Sequence, residues 1–220
     1  MDNQAKLIEL FKEFPGIGPR QAKRFVYFLL NRNPSYANDL AKLISEVRAT
    51  VHSCESCFRF FPLNHSAQNG RASTFGALAN STHNVCLVCS DETRDKKSLM
   101  IVSHDVDFEN IEKTGFYKGY YFILGGNVPI LEKNPEKRIR QKELLEIIVE
   151  KMQSGLTEII LALNYNPEGE NTLTHLKEIL TKTVIVNKIK LSTLGRGLST
   201  GTELEYSDSD TIKNALKNRN

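Results

Sequence analysis

The 220-residue chain has no apolar run approaching the roughly 20 residues that a membrane-spanning helix needs. Its first residues, Met-Asp-Asn-Gln, lack the basic and then apolar order of a secretory signal. Internal repeats are also missing. Hydrophobic residues make up 40% and charged residues 25% of the sequence, as in ordinary soluble globular proteins. We therefore expect a folded cytoplasmic protein.

The net charge is also small, at +3, but it is unevenly distributed along the chain. Residues 1–52 contain eight basic and five acidic side chains, whereas the charges of the remaining chain balance. An excess of positive charge in one segment favours an anionic partner there, such as nucleic acid.

Cysteine is limited to two close pairs, Cys54-x-x-Cys57 and Cys86-x-x-Cys89. Because cytoplasmic thiols stay reduced, this pattern favours four thiolates around one structural Zn²⁺ ion, with no open position for water. The alternatives are a disulfide or ordinary buried thiols, and the 28 residues between the pairs are a long separation. Three histidines could substitute as ligands, although surface loop positions suit them better: His52, His65 and His83.

Residues 1–52 predict three helices, because apolar residues recur there at helical spacing. Pro34 suits the first turn of the third helix. The three apolar stripes consist of Leu7, Leu10, Phe11 and Phe14; Ala22, Phe25, Val26 and Leu29; and Tyr36, Leu40, Leu43, Ile44, Val47 and Val51.

The later part of the chain alternates strand and helix patterns, which predicts a mainly parallel sheet covered by helices. A Gly/Ser/Thr-rich loop, a short strand at 203–206 and a terminal helix beginning within 207–210 follow. The fold class is thus a multidomain α+β protein. Strands are predicted at residues 99–102, 120–124, 158–163 and 183–186, and helices at 106–113, 135–153 and 170–180.

The segment Pro-Gly-Ile-Gly-Pro-Arg at residues 15–20 separates the first two helices. Gly16 and Gly18 permit a tight turn with bare backbone N–H groups, and the next helix directs its positive end towards that turn. Arg20, Lys23 and Arg24 share one helical face, so they can hold adjacent phosphates without reading base sequence. The alternative is a plain helix–helix turn with a solvated basic face.

A polar segment, Asn-Tyr-Asn-Pro-Glu-Gly-Glu at residues 164–170, follows the predicted strand at 158–163. Together with the strand before Ser103, it resembles the Toprim domain of topoisomerases, primases and some nucleases. Those enzymes carry a glutamate at the position of Ser103 and aspartates at those of Asn164 and Asn166. Amides suit Mg²⁺ poorly and serine is a poor proton carrier, so the resemblance implies a scaffold without its catalytic groups.

Four carboxylates remain near this edge of the predicted sheet. Glu168 and Glu170 could still bind a metal weakly, but an acidic patch for a partner or a negatively charged helix start accounts for them better. Asp105 and Asp107 fit a plain helix N-terminus.

Four features stand in one order: the Pro-Gly-Ile-Gly-Pro segment, the two cysteine pairs, Glu168-Gly-Glu170, and Leu-Gly-Arg-Gly-Leu-Ser-Thr-Gly-Thr-Glu-Leu-Glu-Tyr at residues 194–206. Over nearly the whole chain this order resembles the RecR family of bacterial recombination mediators. The resemblance implies four domains. They are a helix-hairpin-helix DNA-binding domain (1–52), a four-cysteine zinc finger with an insertion (53–93), a Toprim domain (97–191) and a C-terminal oligomerisation segment (192–220).

The same resemblance implies a non-catalytic clamp in recombinational DNA repair. It would form dimers or a tetrameric ring, and would help to load recombinase at single-stranded gaps with RecO-type and RecF-type partners. By position, Arg20 and Arg24 match DNA-contact residues with Lys23 as a neighbour, the four cysteines match zinc ligands, and Glu168 and Glu170 match an acidic patch for partners. Two departures are the insertion at 64–83 and Ser103 in place of a common glutamate.

Two other interpretations come from the residues themselves. The glycine-rich loop at 195–201 lacks the Gly-Lys-Ser/Thr ending of a nucleotide-binding loop, so we interpret it as a turn before a strand. The alternative function is a Mg²⁺-dependent Toprim nuclease or primase-like enzyme using Glu168 and Glu170. A zinc-stabilised interaction module that never touches DNA is a third hypothesis.

Overall fold

The structure, a computed structural model, describes residues 2–62, 84–195 and 209–217, together with 198, 205 and 207. The chain divides into two compact units, Met1–Val51 and His52–Asn220. Within the described residues, no helix is both long enough and apolar enough to cross a membrane.

The first unit consists of three helices, α1 (Asn3–Lys12), α2 (Pro19–Leu30) and α3 (Pro34–Thr50), which confirms the predicted helices. Helices α1 and α2 pack together, with the rings of Phe11 and Phe25 5.7 Å apart. Only Ala22 and Val26 of the three helices are buried. Much of the apolar surface of this unit is therefore open.

The second unit begins with a short two-stranded sheet of β1 (Val51–Ser53) and β2 (Phe60–Pro62), followed by the one-turn helix α4 (Leu87–Ser90). Between β1 and β2 the chain makes a tight knuckle, in which Phe58 adopts a positive φ of 62°. The cysteine pairs lie in this knuckle and at the start of α4.

A four-stranded parallel sheet forms the centre of the second unit. In chain order it contains β3 (Asp95–Val102), α5 (Asp105–Thr114), β4 (Gly119–Ile123), α6 (Gln141–Gln153), β5 (Glu158–Ala162), α7 (Pro167–Asn187) and β6 (Lys190–Thr193), and the helix α8 (Ser209–Lys217) follows. In the strand order β4-β3-β5-β6, β4 lies on one side of β3, whereas β5 and β6 lie on the other, so the order of strand addition reverses between β3 and β5. Ligands of such sheets bind at the carboxyl ends of the strands beside that reversal.

Helices cover both faces of the sheet, because alternate residues of the buried strands are apolar on each side. On one face Phe108 of α5 packs against Val102 and Tyr121. The larger cluster on the other face includes Leu144 and Ile148 of α6 and Leu173, Leu176 and Leu180 of α7. The predicted fold class, helical at its start with a mainly parallel sheet, is confirmed.

The strand predicted at residues 183–186 is wrong. Four β-branched residues favour a strand there, yet α7 continues to Asn187 and ends at Lys188, whose φ is 54°. Ile185 and Val186 are 70% and 78% exposed, so they would have contributed little to a sheet core. The fourth strand is β6 instead, where Leu191 pairs with Ile159 of β5.

The helix predicted across residues 135–153 is right only from Gln141 onwards. Residues Pro135–Lys137 form a single 3-10 turn. Ile139 is then buried in the core and the Arg140 N–H donates to the Leu124 carbonyl, 3.0 Å away, which holds this segment against the end of β4. Apart from Glu205, the strand predicted at 203–206 lies outside the described residues, as does the insertion at 64–83.

Candidate functional site

The turn between α1 and α2 is built around two glycines. Gly16 has a φ of 76°, a conformation that side chains rarely adopt, and the Ile17 N–H donates to the Phe14 carbonyl at 3.0 Å. Gly18 is the N-cap of α2 and provides no side-chain cap, so the first amides of the helix point into the turn without a side-chain acceptor. A Cβ on either glycine would meet nothing within 4 Å, which shows open space around the turn.

Three cations stand beside this turn on α2. Arg20, Lys23 and Arg24 are exposed, and α2 contains no acidic residue. Among the residues that the structure describes, none of the three forms an ion pair with a carboxylate. The positive helix end and these unneutralised charges therefore act on the same region and attract anions.

The four cysteine thiols come together at the start of the second unit. Their Sγ atoms all lie within 4.8 Å of one another, and those of Cys57 and Cys86 are 3.6 Å apart. Cys54, Cys57 and Cys86 are buried and Cys89 is half-buried. A tetrahedral Zn²⁺ ion with Zn–S bonds of about 2.3 Å separates its sulfur ligands by about 3.8 Å, so this donor set fits the ion.

The electrostatics of the cluster also call for a cation. Burial raises the pKa of the Cys57 thiol well above its ordinary value, whereas a hydrogen bond from Cys57 lowers the pKa of Cys54. The Cys86 backbone N–H donates to the Cys54 sulfur at 3.3 Å, which favours a thiolate there. Four thiolates in contact repel one another, and a divalent ion removes that repulsion. His52 is exposed and stands outside the cluster, and His65 and His83 lie outside the described residues.

The knuckle contacts the outer strand β4 and the helix α5 through groups that the sequence did not predict. The Ile123 N–H of β4 donates to the Cys57 carbonyl at 2.9 Å. The Arg59 guanidinium is buried over the Phe108 ring, 4.5 Å from its centroid, and the Phe60 N–H donates to the Asp105 carboxylate at 2.8 Å. Only the three-dimensional contact identifies these partners, since they are about 45 residues or more apart in sequence.

The carboxyl edge of the sheet gathers the polar side chains that replace the Toprim acids. Ser103 is fully buried, and its hydroxyl donates to the Asn127 side-chain oxygen at 2.7 Å. The Asn166 side-chain oxygen accepts the Gly169 N–H at 2.8 Å and so caps α7. Ser103 and Asn166 are therefore each hydrogen-bonded to another group of the protein, which reduces their capacity to hold a metal or move a proton.

Glu168 and Glu170 stand in the first turn of α7, where Glu168 is exposed and Glu170 half-buried. Gly169 between them allows a close approach, since a Cβ there would lie 1.9 Å from the Asn164 carbonyl oxygen. Within the described residues, the four cysteines are the only group of three or more potential ligands that comes together. Glu168 and Glu170 are therefore not part of any such group.

Asp105 and Asp107 lie in the first turn of α5, as predicted, but Asp105 also makes a long-range contact that the sequence did not predict. Asp105 accepts the Phe60 N–H, and Asp107 accepts the His104 N–H at 3.0 Å as part of a capping box of α5. Both carboxylates stabilise the start of that helix.

Family comparisons cover most of this architecture. A helix-hairpin-helix model of RecR matches residues 4–48, a Toprim domain model matches 97–193, and a C-terminal model of RecR matches 197–220. Relatives named recombination protein RecR match nearly the whole chain. That of Chloroflexus aggregans is 32% identical over 98% of this chain and 92% of its own. That of Bifidobacterium adolescentis is 33% identical over 97% and 94%. The chain therefore belongs to the RecR family of recombination proteins.

Proposed function

We propose that the protein is a DNA-binding recombination mediator that grips the DNA backbone and catalyses no reaction itself. The observation that carries the proposal is the open, cationic turn of Gly16, Gly18, Arg20, Lys23 and Arg24, whose three charges have no ion-pair partner among the described residues. Contacts of this kind bind phosphates without regard to base sequence, so the protein should bind both single strands and gapped duplexes.

A structural Zn²⁺ ion completes the fold under this proposal. Cys54, Cys57, Cys86 and Cys89 would hold it, and no ligand position would remain for water. When bound, the ion would neutralise the thiolates and fix the knuckle that contacts β4 and α5. Its role is therefore to support the sheet rather than to activate a substrate.

Glu168 and Glu170 serve as an acidic patch for a RecO-type partner. The position of the two glutamates supports this role. Both lie at the carboxyl ends of the strands, beside Ser103 and Asn166, which are hydrogen-bonded within the protein. A RecF-type partner is a further member of such an assembly. Charged patches of this kind direct association with a basic surface.

Self-association turns weak phosphate contacts into stable retention, because several hairpins then act on one DNA molecule. The second half of α3 supports a homo-oligomer, since Leu43, Ile44 and Val47 are 56%, 61% and 56% exposed on one helical face. Contiguous apolar surface of this kind marks protein interfaces. The C-terminal segment 192–220 is a second contact in the proposed ring.

The test is retention on gapped circular DNA in the presence of Mg²⁺, before and after the circle is cut with a restriction enzyme. We expect wild type to stay on the intact circle through a salt wash and to leave when the circle is linearised, and we expect Arg20→Glu/Arg24→Glu to be lost at once. Equal retention of wild type and the variant would show that the DNA contact lies outside Arg20 and Arg24. Cleavage of uncut DNA that disappears in Glu168→Gln would favour the alternative Toprim enzyme.

A further inference from the structure

The exposed face of α2 changes character along the helix. Arg20, Lys23 and Arg24 occupy its first half. Tyr27 and Phe28 lie four residues after Lys23 and Arg24, respectively, and therefore continue the same face. The helical rise of about 1.5 Å per residue places Phe28 about 6 Å beyond Arg24 along the axis. The apolar residues Ala22 and Val26, by contrast, lie buried on the opposite side.

The aromatic half of this face is joined by two residues that follow α2. The Arg32 guanidinium lies over the Phe28 ring, 4.4 Å from its centroid, and 6.0 Å from that of Tyr36. The rings of Phe28 and Tyr36 stand edge to face, with centroids 6.0 Å apart. Although they are large, Tyr27, Phe28 and Tyr36 are 53%, 45% and 44% exposed. We call Phe28, Arg32 and Tyr36 the ring cluster.

Charge distinguishes the ring cluster from a contact between two copies of the chain. Arg20, Arg24 and Arg32 form no ion pair within the described part of the chain, and α2 has no acidic residue. A two-fold contact would bring this cationic face against itself, which like-charge repulsion opposes. A polyanion with flat, apolar groups satisfies both the charges and the rings.

We propose that the ring cluster is a base-stacking site for single-stranded nucleic acid, next to the phosphate contacts of Arg20 and Arg24. The inference rests on the proposed DNA-binding function and adds strand selectivity to it. Aromatic rings and arginine planes stack on any unpaired base, whereas the bases of a duplex already stack on one another. The hairpin then serves both kinds of DNA, and the ring cluster favours the single strand.

The test compares binding of wild type and Phe28→Leu/Tyr36→Leu to a labelled single strand and to a duplex of equal length. The leucines keep the surface apolar and remove the rings. We expect about tenfold weaker binding of the single strand and no more than a twofold change for the duplex. The ring-exchange variant Phe28→Tyr/Tyr36→Phe is the matched control and should bind both like wild type.

A single strand with abasic sites supplies the same phosphates without bases. Wild type should bind it about as weakly as Phe28→Leu/Tyr36→Leu binds the normal strand. Unchanged affinity of the leucine variant for the single strand would overturn the proposal. Equal loss for both DNAs with a smaller oligomer would assign the rings to a contact between copies and also overturn it. The Arg20→Glu/Arg24→Glu variant tests the DNA-binding function separately, since it should lose both DNAs.

Discussion

The turn between α1 and α2 and the carboxyl edge of the parallel sheet are both polar surfaces, but their groups are engaged differently. At the sheet edge, Ser103 binds Asn127 and Asn166 binds the Gly169 amide. At the turn, Arg20 and Arg24 face open space, with no ion pair among the described residues. Polar groups that satisfy each other stabilise a fold, whereas groups without a protein partner remain available to a ligand.

The two surfaces also differ in what surrounds them. The sheet edge lies above a continuous buried core, beside which the Val128 N–H donates to the hydroxyl of the buried Thr172 at 2.8 Å. The helices of the first unit bury only two residues. Changes at the sheet and the knuckle should therefore affect stability and leave DNA contact intact, and changes on α2 should do the reverse.

The largest effect on the stability side is expected from Cys86→Ser, which removes one of four proposed zinc ligands. Loss of the ion removes the bonds that hold the two cysteine pairs together and loosens the knuckle that contacts β4, so we expect Tm to fall by on the order of 10 °C. Differential scanning calorimetry with zinc quantification measures both. A variant that keeps one zinc per chain, or a wild type that contains none, would refute the site.

Gly169→Ala should have the next largest effect. Its Cβ would meet the Asn164 backbone at 1.9 Å, which neither side can relieve by rotating a side chain. We expect about 2 kcal/mol of destabilisation, measured by denaturant unfolding, with unchanged DNA affinity. Gly195→Ala is the control, since a Cβ there meets nothing within 4 Å. Loss of DNA affinity in a folded Gly169→Ala protein would show that the sheet edge also contributes to DNA binding.

Glu112→Gln tests the ion pair that ties α5 to the start of β3. Arg94 donates two hydrogen bonds to Glu112, at 2.7 and 2.9 Å. Burial alone raises the pKa of Glu112, but the Arg94 hydrogen bonds and charge outweigh it and lower that pKa. The stabilisation is therefore complete above the unfolded pKa, near 4.5, and disappears as pH falls through the lowered folded pKa.

We expect Glu112→Gln to cost about 2 kcal/mol at pH 7, with a smaller difference from wild type below pH of about 4. Urea unfolding at several pH values measures this dependence. Glu109→Gln on the same helix is the control, because Glu109 is exposed. A difference that stays constant between pH 7 and the acid range would contradict the role of the ion pair.

Glu168→Gln/Glu170→Gln should have the smallest effect on the isolated protein. We expect Tm to change by about 2 °C or less and DNA affinity by less than twofold, because glutamine keeps the size of each side chain and one side-chain oxygen that can accept hydrogen bonds. Affinity for a RecO-type partner, measured by calorimetry, should fall about tenfold. Glu178→Gln, exposed on the same helix, is the control. Full partner affinity in the double variant would remove the acidic patch from the proposal.

Local periodicity predicted the helices of the first unit and the order of strands and helices in the sheet. It failed at residues 183–186, where β-branched composition favours a strand but hydrogen bonding continues α7 to Asn187. It also failed at the start of α6, because contacts of Ile139 and Arg140 with distant residues set that boundary. The intrinsic helix or strand propensity of a segment determines its secondary structure only where tertiary contacts favour the same structure.

Among the candidate sites, the two C-x-x-C motifs predicted that the four thiols meet, although 28 residues separate the pairs. The shared face of Arg20, Lys23 and Arg24 follows from helical spacing alone. The bond between Ser103 and Asn127 and the position of Arg59 over Phe108 depend on side chains far apart in sequence. Spacing along one element could not have identified them. The exposure of Phe28 and Tyr36 likewise follows only from the packing of the helices.

In the proposed function, the cations of α2 hold the DNA backbone. The most direct measurement is DNA affinity across a salt series for wild type, Arg20→Glu/Arg24→Glu and Lys42→Glu/Arg48→Glu, which makes the same charge change on α3. We predict that the α2 variant binds at least about 100-fold more weakly at low salt. Its plot of log affinity against log salt should be shallower by about two, and the α3 variant should follow wild type. Superimposable salt dependences for wild type and the α2 variant would show that these cations do not hold the DNA backbone.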